Sequence, residues 1–510
     1  MSSLPRIGVV GGGASAVCLL DALAQEPRVR SGLVTVFDAS PYLWRGRPYQ
    51  PDLDVVRVNA TPDDMSVRAG DNQHLIEWLT TREMFVGSGS SYADPISGAH
   101  FVPRAVFGDY LEQSARAALV ALVRRGWQVK LVRQRVEHAE SDGDGLVLRT
   151  ETGERHHLDY AVLSVGAGRP ADQYKLAGSP GFIGEPYPVR RSMSGVAPDD
   201  DVAIIGSGLT AVDVVLALTA NGHRGRISLM SRRGVLPGVR QRPIRHVLRH
   251  FTPARFRTMT AHGGKATLSD LVAVMRAELA DAGESLDVVR AELDAVRTEH
   301  PVARLRRQLD EVASPSIAMR ILQQAVPEAG PDVWPLLSEH EQNVALVEYD
   351  RALMSLCCPM PPANAAKLLS LIDAGQVELV SGIQGIESTG DGFELSTATR
   401  DLRADVVVNA VNARLRKLSE KAMPLFSSLL AAGLAEQHPR GGVRVERATS
   451  RLTVGGRADP RLYALGDPAL GSLYFTFGVQ SLVDRAVDIV QAIHKDSTAP
   501  AHHHGRLQTV

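Results

Sequence analysis

Short apolar runs that close on small residues, and then give way to apolar positions three and four apart, recur along this chain. This pattern predicts buried parallel strands leading into helices. The first run is Ile7-Gly8-Val9-Val10, closing on Gly11-Gly12-Gly13-Ala14-Ser15-Ala16. The second is Val202-Ala203-Ile204-Ile205, closing on Gly206-Ser207-Gly208-Leu209-Thr210-Ala211. Further strands are predicted at Leu33–Phe37, Asp159–Val165, Val377–Val380, Asp405–Asn409 and Arg461–Leu465. A meander is predicted at Gln128–Val132, Arg135–Glu140, Gly145–Glu151 and Glu154–Leu158, capping one edge of a mainly parallel sheet. Helical spacing marks His74–Arg82, Pro103–Arg125, Ala363–Ala374 and Val479–His494. Between Arg242 and Glu348 the alternation stops and helices dominate, most clearly Leu271–Leu279, Leu286–Val296 and Val302–Val312. This reads as a helical insertion, over the active site, at a subunit interface, or as a plain structural bundle. Ser40–Ser66, rich in Pro, Asp and Arg, reads as a long loop of the kind that usually carries function.

The glycines in both turns have separate tasks. Gly11 and Gly206 permit the tight bend, and Gly13 and Gly208 let the backbone approach a pyrophosphate. Ala16 and Ala211 let the helix pack closely on its strand. Ala14, Ser15, Leu209 and Thr210 then open helices whose free N–H groups and dipole favour a diphosphate. The sites differ at the end of the next strand. Asp38 follows Leu33–Phe37, where an acid binds ribose hydroxyls. Ser231-Arg232-Arg233-Gly234 follows Arg226–Met230, where guanidinium groups match a 2′-phosphate that an acid would repel. FAD is therefore expected at the first site and NADPH at the second.

With 510 residues the chain exceeds one hydrophobic core. A net charge of −1 leaves no electrostatic footprint for nucleic acid or an anionic membrane. No apolar run is long enough to span a bilayer, and the N-terminus reads as a strand rather than a signal peptide. Three cysteines, Cys18, Cys357 and Cys358, with no C-x-x-C pair, suit a reducing cytoplasm and packing roles. The residues from Asp496, including His502-His503-His504, read as a disordered tail.

Together these pieces resemble the FAD- and NAD(P)-binding flavoproteins related to flavin-dependent monooxygenases. The resemblance rests on both turns, on Gly46-Arg47-Pro48-Tyr49, Asn59-Ala60-Thr61-Pro62-Asp63-Asp64-Met65-Ser66 and Phe101-Val102-Pro103-Arg104, and on the closing Gly466-Asp467. It implies an α/β fold with two Rossmann-like dinucleotide-binding domains in the glutathione-reductase-like arrangement, the nicotinamide domain inserted in the FAD domain. The expected boundaries are 1–195 and 416–495 for FAD, 196–415 for NADPH with the helical insertion at about 243–348, and 496–510 for the tail.

Pro188 and Ser192 stand where the Baeyer–Villiger pattern F-x-G-x-x-x-H-x-x-x-W has His and Trp, which argues against that sub-class. The N-hydroxylase pattern D-x-x-x-L/F-A-T-G matches at Asp405 and Ala410 and departs at Asn409, Val411 and Asn412. The resemblance implies oxidation of the amino group of a small amino acid or amine, an acidic one such as aspartate included, by molecular oxygen through a C4a-hydroperoxyflavin. It places Arg45, Tyr49, Asn59 and Met65 near the flavin ring. Arg45, Arg47 or Arg57 could hold a substrate carboxylate. The stretch Gly471–Gly478, with Phe477, is positioned to meet the flavin. Two other classes stay open: a flavin–NADPH oxidoreductase acting on sulfur or another acceptor, and a non-catalytic flavoprotein. Self-association is left open as well.

Overall fold

The computed structural model describes residues 4–29, 31–86, 92–143, 145–244, 246–411 and 420–498. The expectations for Asn412 and for His502-His503-His504 lie outside them.

Along the chain come β1 (Arg6–Val10), α1 (Ala14–Gln25), β2 (Leu33–Phe37), α2 (His74–Val86), α3 (Arg104–Arg124), β3 (Gln128–Val132), β4 (Val136–Asp142), β5 (Gly145–Thr150), β6 (Arg155–Leu158) and β7 (Tyr160–Leu163). Then follow β8 (Phe182–Ile183), α4 (Val189–Ser192), β9 (Val202–Ile205), α5 (Leu209–Ala220) and β10 (Ile227–Ser231). The helical stretch holds α6 (Pro253–Ala261), α7 (Leu268–Asp281), α8 (Leu286–Thr298), α9 (Pro301–Asp310), α10 (Ala318–Val333), α11 (Glu339–Val344), α12 (Asp350–Cys357) and α13 (Pro362–Asp373). The chain continues through β11 (Val377–Ser381), β12 (Ile383–Ser388), β13 (Phe393–Thr397), β14 (Asp401–Ala404) and β15 (Val406–Asn409). It closes with α14 (Met423–Ala431), β16 (Arg451–Val454), β17 (Arg457–Ala464), α15 (Leu470–Leu473) and α16 (Val479–Thr498).

The two glycine turns open two copies of one plan. In the first sheet the order is β16-β17-β7-β1-β2-β3, parallel except for the β16–β17 pair. In the second it is β11-β10-β9-β15-β8, parallel throughout. Strand, glycine turn, helix and strand come first in each copy. A long excursion, a third strand, a three-stranded antiparallel meander and a return strand follow. The excursion is the loop with α2 and α3 in the first copy and α6–α13 in the second.

Several elements differ from the sequence reading. Gln128–Val132 leaves the meander and joins the parallel sheet beside β2, because its register puts Val132 into the core. Strands β4, β5 and β6 form their own sheet, with Leu146, Leu148 and Leu158 packed among Val10, Phe37 and Leu163. The equivalent meander β12–β14 escaped sequence reading, as did β16 and α14. Helix α10 was obscured by Pro327 and Pro331, which ordinarily interrupt a helix yet lie inside this one. The last helix extends to Thr498, past the expected start of the tail. Among the described residues no helix is long and apolar enough to cross a membrane.

The helical insertion has its own core, and Phe475 of the C-terminal segment belongs to it. Trp334 stacks on Tyr474 with ring centroids 4.5 Å apart, and Tyr474 donates to Asp350 at 2.6 Å. Beneath this contact lies a buried ionic network. Arg447 pairs with Asp332 of α10 and, at 3.0 Å, with Asp488 of α16. Arg485 meets Asp488 at 3.1 Å, and Arg257 of α6 meets Asp332 at 3.2 Å. Buried charges are tolerated only when paired, and removing one partner strands the other. Arg447→Met should therefore lower unfolding free energy by about 3–5 kcal/mol, and adding Asp332→Leu should recover part of the loss. Urea denaturation checks this; a loss under about 1 kcal/mol would mean the network does not hold the insertion in place.

Candidate active site

At the first turn, Gly11 has φ +104 and donates to the carbonyl of Phe37 at 2.9 Å. A Cβ there would lie 2.6 Å from the Ser164 carbonyl, so only glycine fits. Asp38 shapes the turn with both oxygens, accepting from Gly12 N and from Ser40 N, each at 2.6 Å. Gly13 precedes α1 without a side-chain cap, which leaves the amides around Ala14 and Ser15 free of side-chain competition. Two remote segments close over them. Trp44 N donates to the Gly12 carbonyl at 2.6 Å, and a Cβ on Gly466 would approach Ser15 Oγ to 2.9 Å. Asp467 accepts from Ala167 N at 2.5 Å, and burial pushes its carboxyl above the ordinary range. The segments after β1, β2, β7 and β17 thus converge at the carboxyl ends of adjacent parallel strands, the usual crevice for a ligand.

The second turn repeats this geometry. Gly206 has φ +118, donates to the Met230 carbonyl at 2.7 Å, and would place a Cβ 2.9 Å from the Ala410 carbonyl. Gly208 precedes α5, again uncapped by a side chain, and faces open space ahead of Leu209 and Thr210. Ser231 Oγ accepts from Gly234 N at 2.8 Å and so folds the loop carrying Arg232 and Arg233. Both arginines are exposed, and among the described residues neither makes an ion pair. Burial lowers the pKa of Arg351 on α12, and Arg233 and Arg232 add to the effect, so three cations gather there. Arg351 was not foreseen.

A buried ion pair joins the two units. Arg104, at the start of α3, donates to Asp213 Oδ2 at 2.9 Å, and Tyr187 donates to the same oxygen at 2.5 Å. Asp213 is the single charged residue of α5, a signal that sequence reading passed over. Asp52 also crosses between units, accepting from Val189 N and Arg190 N at 2.7 Å each.

The residues expected around the flavin ring separate into two groups. Arg45 is engaged inside the first unit, with Asp109 at 2.5 Å and Glu112 at 2.9 Å, so it is not presented to a substrate. Arg47 is likewise paired, with Glu185 at 3.0 Å. Arg57 lines a groove of about 380 Å³ with Asp54, Thr219 and Lys367. Thr219 sits at the far end of α5 from its glycine turn, so this groove is remote from the second turn. Tyr49 packs edge-on against Phe107 at 4.8 Å, and Met65 lies in the core shared with α1 and α16. Phe477 is exposed, its ring 4.6 Å from Phe475.

Asn59 leads to a second group of charged residues. Its carbonyl accepts from Nε of Arg240 at 2.9 Å. Burial lowers the Arg240 pKa, opposed by the fields of Asp64, Cys358 and Asp63. Asp64 touches solvent, yet crowding by protein raises its pKa against the pull of Arg240. Glu328 of α10 lies near it. Burial pushes Glu328 up to about 7; a hydrogen bond from Gln324 opposes this, and Asp64 and Asp484 reinforce it. Gln480, at the start of α16, donates to the Asp63 carbonyl at 3.4 Å. The loop and the last helix therefore meet beside a group of acids, Asp63, Asp64 and Glu328 of the insertion, with Arg240 at its side.

Residues 8–168 match a family model described as FAD-NAD(P)-binding. No curated protein matches. Solved structures match along almost the whole chain. The L-lysine 6-monooxygenase of Pseudomonas syringae is 16% identical, with 97% of this chain and 100% of that one covered and a TM-score of 0.57. The ornithine N-hydroxylase of Kutzneria sp. 744, solved with reduced FAD, NADP+ and L-ornithine, is 15% identical, with 97% and 100% covered and a TM-score of 0.53. The FAD-bound cadaverine monooxygenase of the desferrioxamine pathway of Erwinia amylovora is 13% identical, with 100% and 99% covered and a TM-score of 0.54. The chain has their fold. Two strand, glycine-turn and helix units, one nested in the other, are thus a property of this fold.

Glu328 yields a pH-dependent outcome. Its folded pKa, about 7, lies above its ordinary 4.5. The stability it contributes is present below the ordinary value and lost as pH rises toward the folded one. Relative to Glu328→Gln, the wild type should lose up to about 3 kcal/mol as pH rises from acid to neutral, then level off. Parallel melting curves of the two proteins at pH 4, 6 and 8 test this; a constant difference would mean Glu328 is not desolvated.

Proposed function

We propose that the chain is an FAD- and NADPH-dependent monooxygenase that oxidises the amino group of a small amino acid or amine. One observation carries this reading. Two uncapped helix N-termini, each behind a glycine turn, are locked together by the Arg104–Asp213 pair in a fold shared with amine-hydroxylating enzymes. The first turn suits FAD: Gly11 and Gly13 leave room for the diphosphate, α1 offers its amides, and Asp38 keeps acceptor capacity for ribose hydroxyls. The second turn suits NADPH, with Arg232, Arg233 and Arg351 around the 2′-phosphate. The bound cofactors supply hydride transfer and oxygen activation.

The chain's own tasks are orientation, water exclusion and proton management. An amine attacks only when deprotonated, and Glu328 titrates near neutral pH in the charged group beside Asn59 and Asp64. Tyr49, Met65 and Phe477 provide the apolar surroundings that keep a reactive centre dry. Acidic amino acids such as aspartate fall within the substrate range because Arg240 gives that group a cation.

The purified yellow protein, supplied with NADPH, should show oxygen uptake stimulated by one member of a panel of amino acids and amines, aspartate, ornithine and lysine among them. The product should be one oxygen heavier by mass spectrometry. Turnover that proceeds without oxygen, or ignores every amine, would sink the reading. Arg232→Ala with Arg233→Ala should cut kcat/KM for NADPH roughly 10- to 100-fold and leave NADH almost unaffected. An unchanged preference would remove the phosphate-site assignment.

A further inference from the structure

The guanidinium of Arg240 is held in an unusual state for a half-buried cation. Its backbone is clamped on both sides: Gly238 N donates to the Ser355 carbonyl, Met360 N to the Gly238 carbonyl, and Arg240 N to the Met360 carbonyl, at 2.8, 2.8 and 2.9 Å. Nε is occupied by the Asn59 carbonyl at 2.9 Å, which fixes the plane of the fork. Among the described residues neither Nη has a hydrogen-bond partner, and none of their carboxylates comes within the 4.0 Å of an ion pair. Arg45, Arg47, Arg257 and Arg447 all have carboxylate partners. Asp64 lies on the same loop as Asn59, accepts from Thr61 at 3.4 Å, and makes no ion pair with Arg240, although the two interact through their charges. A partly desolvated guanidinium without a counter-ion gains from acquiring one, and its fork matches a carboxylate bidentately.

We propose that Arg240 is the carboxylate anchor of the substrate site, and that the gap between it and Asp64 receives the zwitterionic head of an amino acid. This rests on the proposed function. In that pose the two Nη groups grip the carboxylate, Asp64 faces the ammonium, and Glu328 lies beyond it. The chain would then select amino acids over the corresponding carboxyl-less amines, a preference that Arg45 and Arg47, already paired, cannot supply.

Binding to the FAD-loaded protein, measured by calorimetry without NADPH, tests the anchor separately from turnover. The probes are the common L-amino acids and L-ornithine, each compared with its α-carboxamide. At least one free acid should bind, and its amide roughly 30-fold or more weaker. Arg240→Met should weaken the acid by a similar factor and Arg240→Lys by less, while the flavin spectrum and the affinity for NADPH stay unchanged. The inference fails if no free acid binds, if amides bind as tightly as acids, or if Arg240→Met leaves acid binding intact. It also fails if Arg240→Met weakens NADPH instead, which would make Arg240 a nucleotide contact. If acids bind as expected but no amine is ever oxidised, the functional reading falls and the anchor stands.

Discussion

Two helix N-termini left without side-chain caps set the terms for the rest of this structure. Their amides can receive a diphosphate only if no neighbouring side chain has already taken them. Glycine keeps the approach clear at Gly11 and Gly206, where a Cβ would strike a backbone carbonyl. The two crevices must also hold a constant relation if a hydride is to pass between them. Asp213, buried in α5 and bonded to both Arg104 and Tyr187, supplies that constraint. A carboxylate so deeply placed is stable only while its guanidinium partner stays, which discourages the units from drifting apart.

One plan is used twice in this chain, with different chemistry at the two strand ends. The strand orders β7-β1-β2-β3 and β15-β9-β10-β11 are equivalent, and each unit carries a meander before its return strand. What differs is placed on the excursions and strand ends. Asp38 ends β2, whereas exposed arginines follow β10. The excursion of the second unit became a helical body that returns to the first, through Trp334, Tyr474 and the Asp332–Arg447 pair. That return also brings Glu328 near Asp64 of the first unit and Asp484 of the last helix.

Sequence reading recovered what depends on neighbours in the chain. Both glycine turns, the apolar strands and the amphipathic helices follow from local spacing, and their bounds agree closely with the structure. Features made by distant partners were not visible. Arg45 looked like a free cation because its carboxylates lie 64 and 67 residues away. Arg240 looked unremarkable because Asn59 is 181 residues before it. Asp213 was one acid in an apolar helix until Arg104, 109 residues earlier, gave it a reason. The second meander lacked a strong turn signal, and the prolines of α10 pointed away from a helix that packing enforces.

The crevice at the first glycine turn is assembled from segments far apart in the chain: Ser15 meets Gly466, and Ala167 meets Asp467 across 300 residues. During synthesis on the ribosome, every strand of the inner sheet emerges before β16 and β17 exist, so that unit can reach its final shape first. The outer unit must wait, with an unpaired edge at β7, until the last strands arrive.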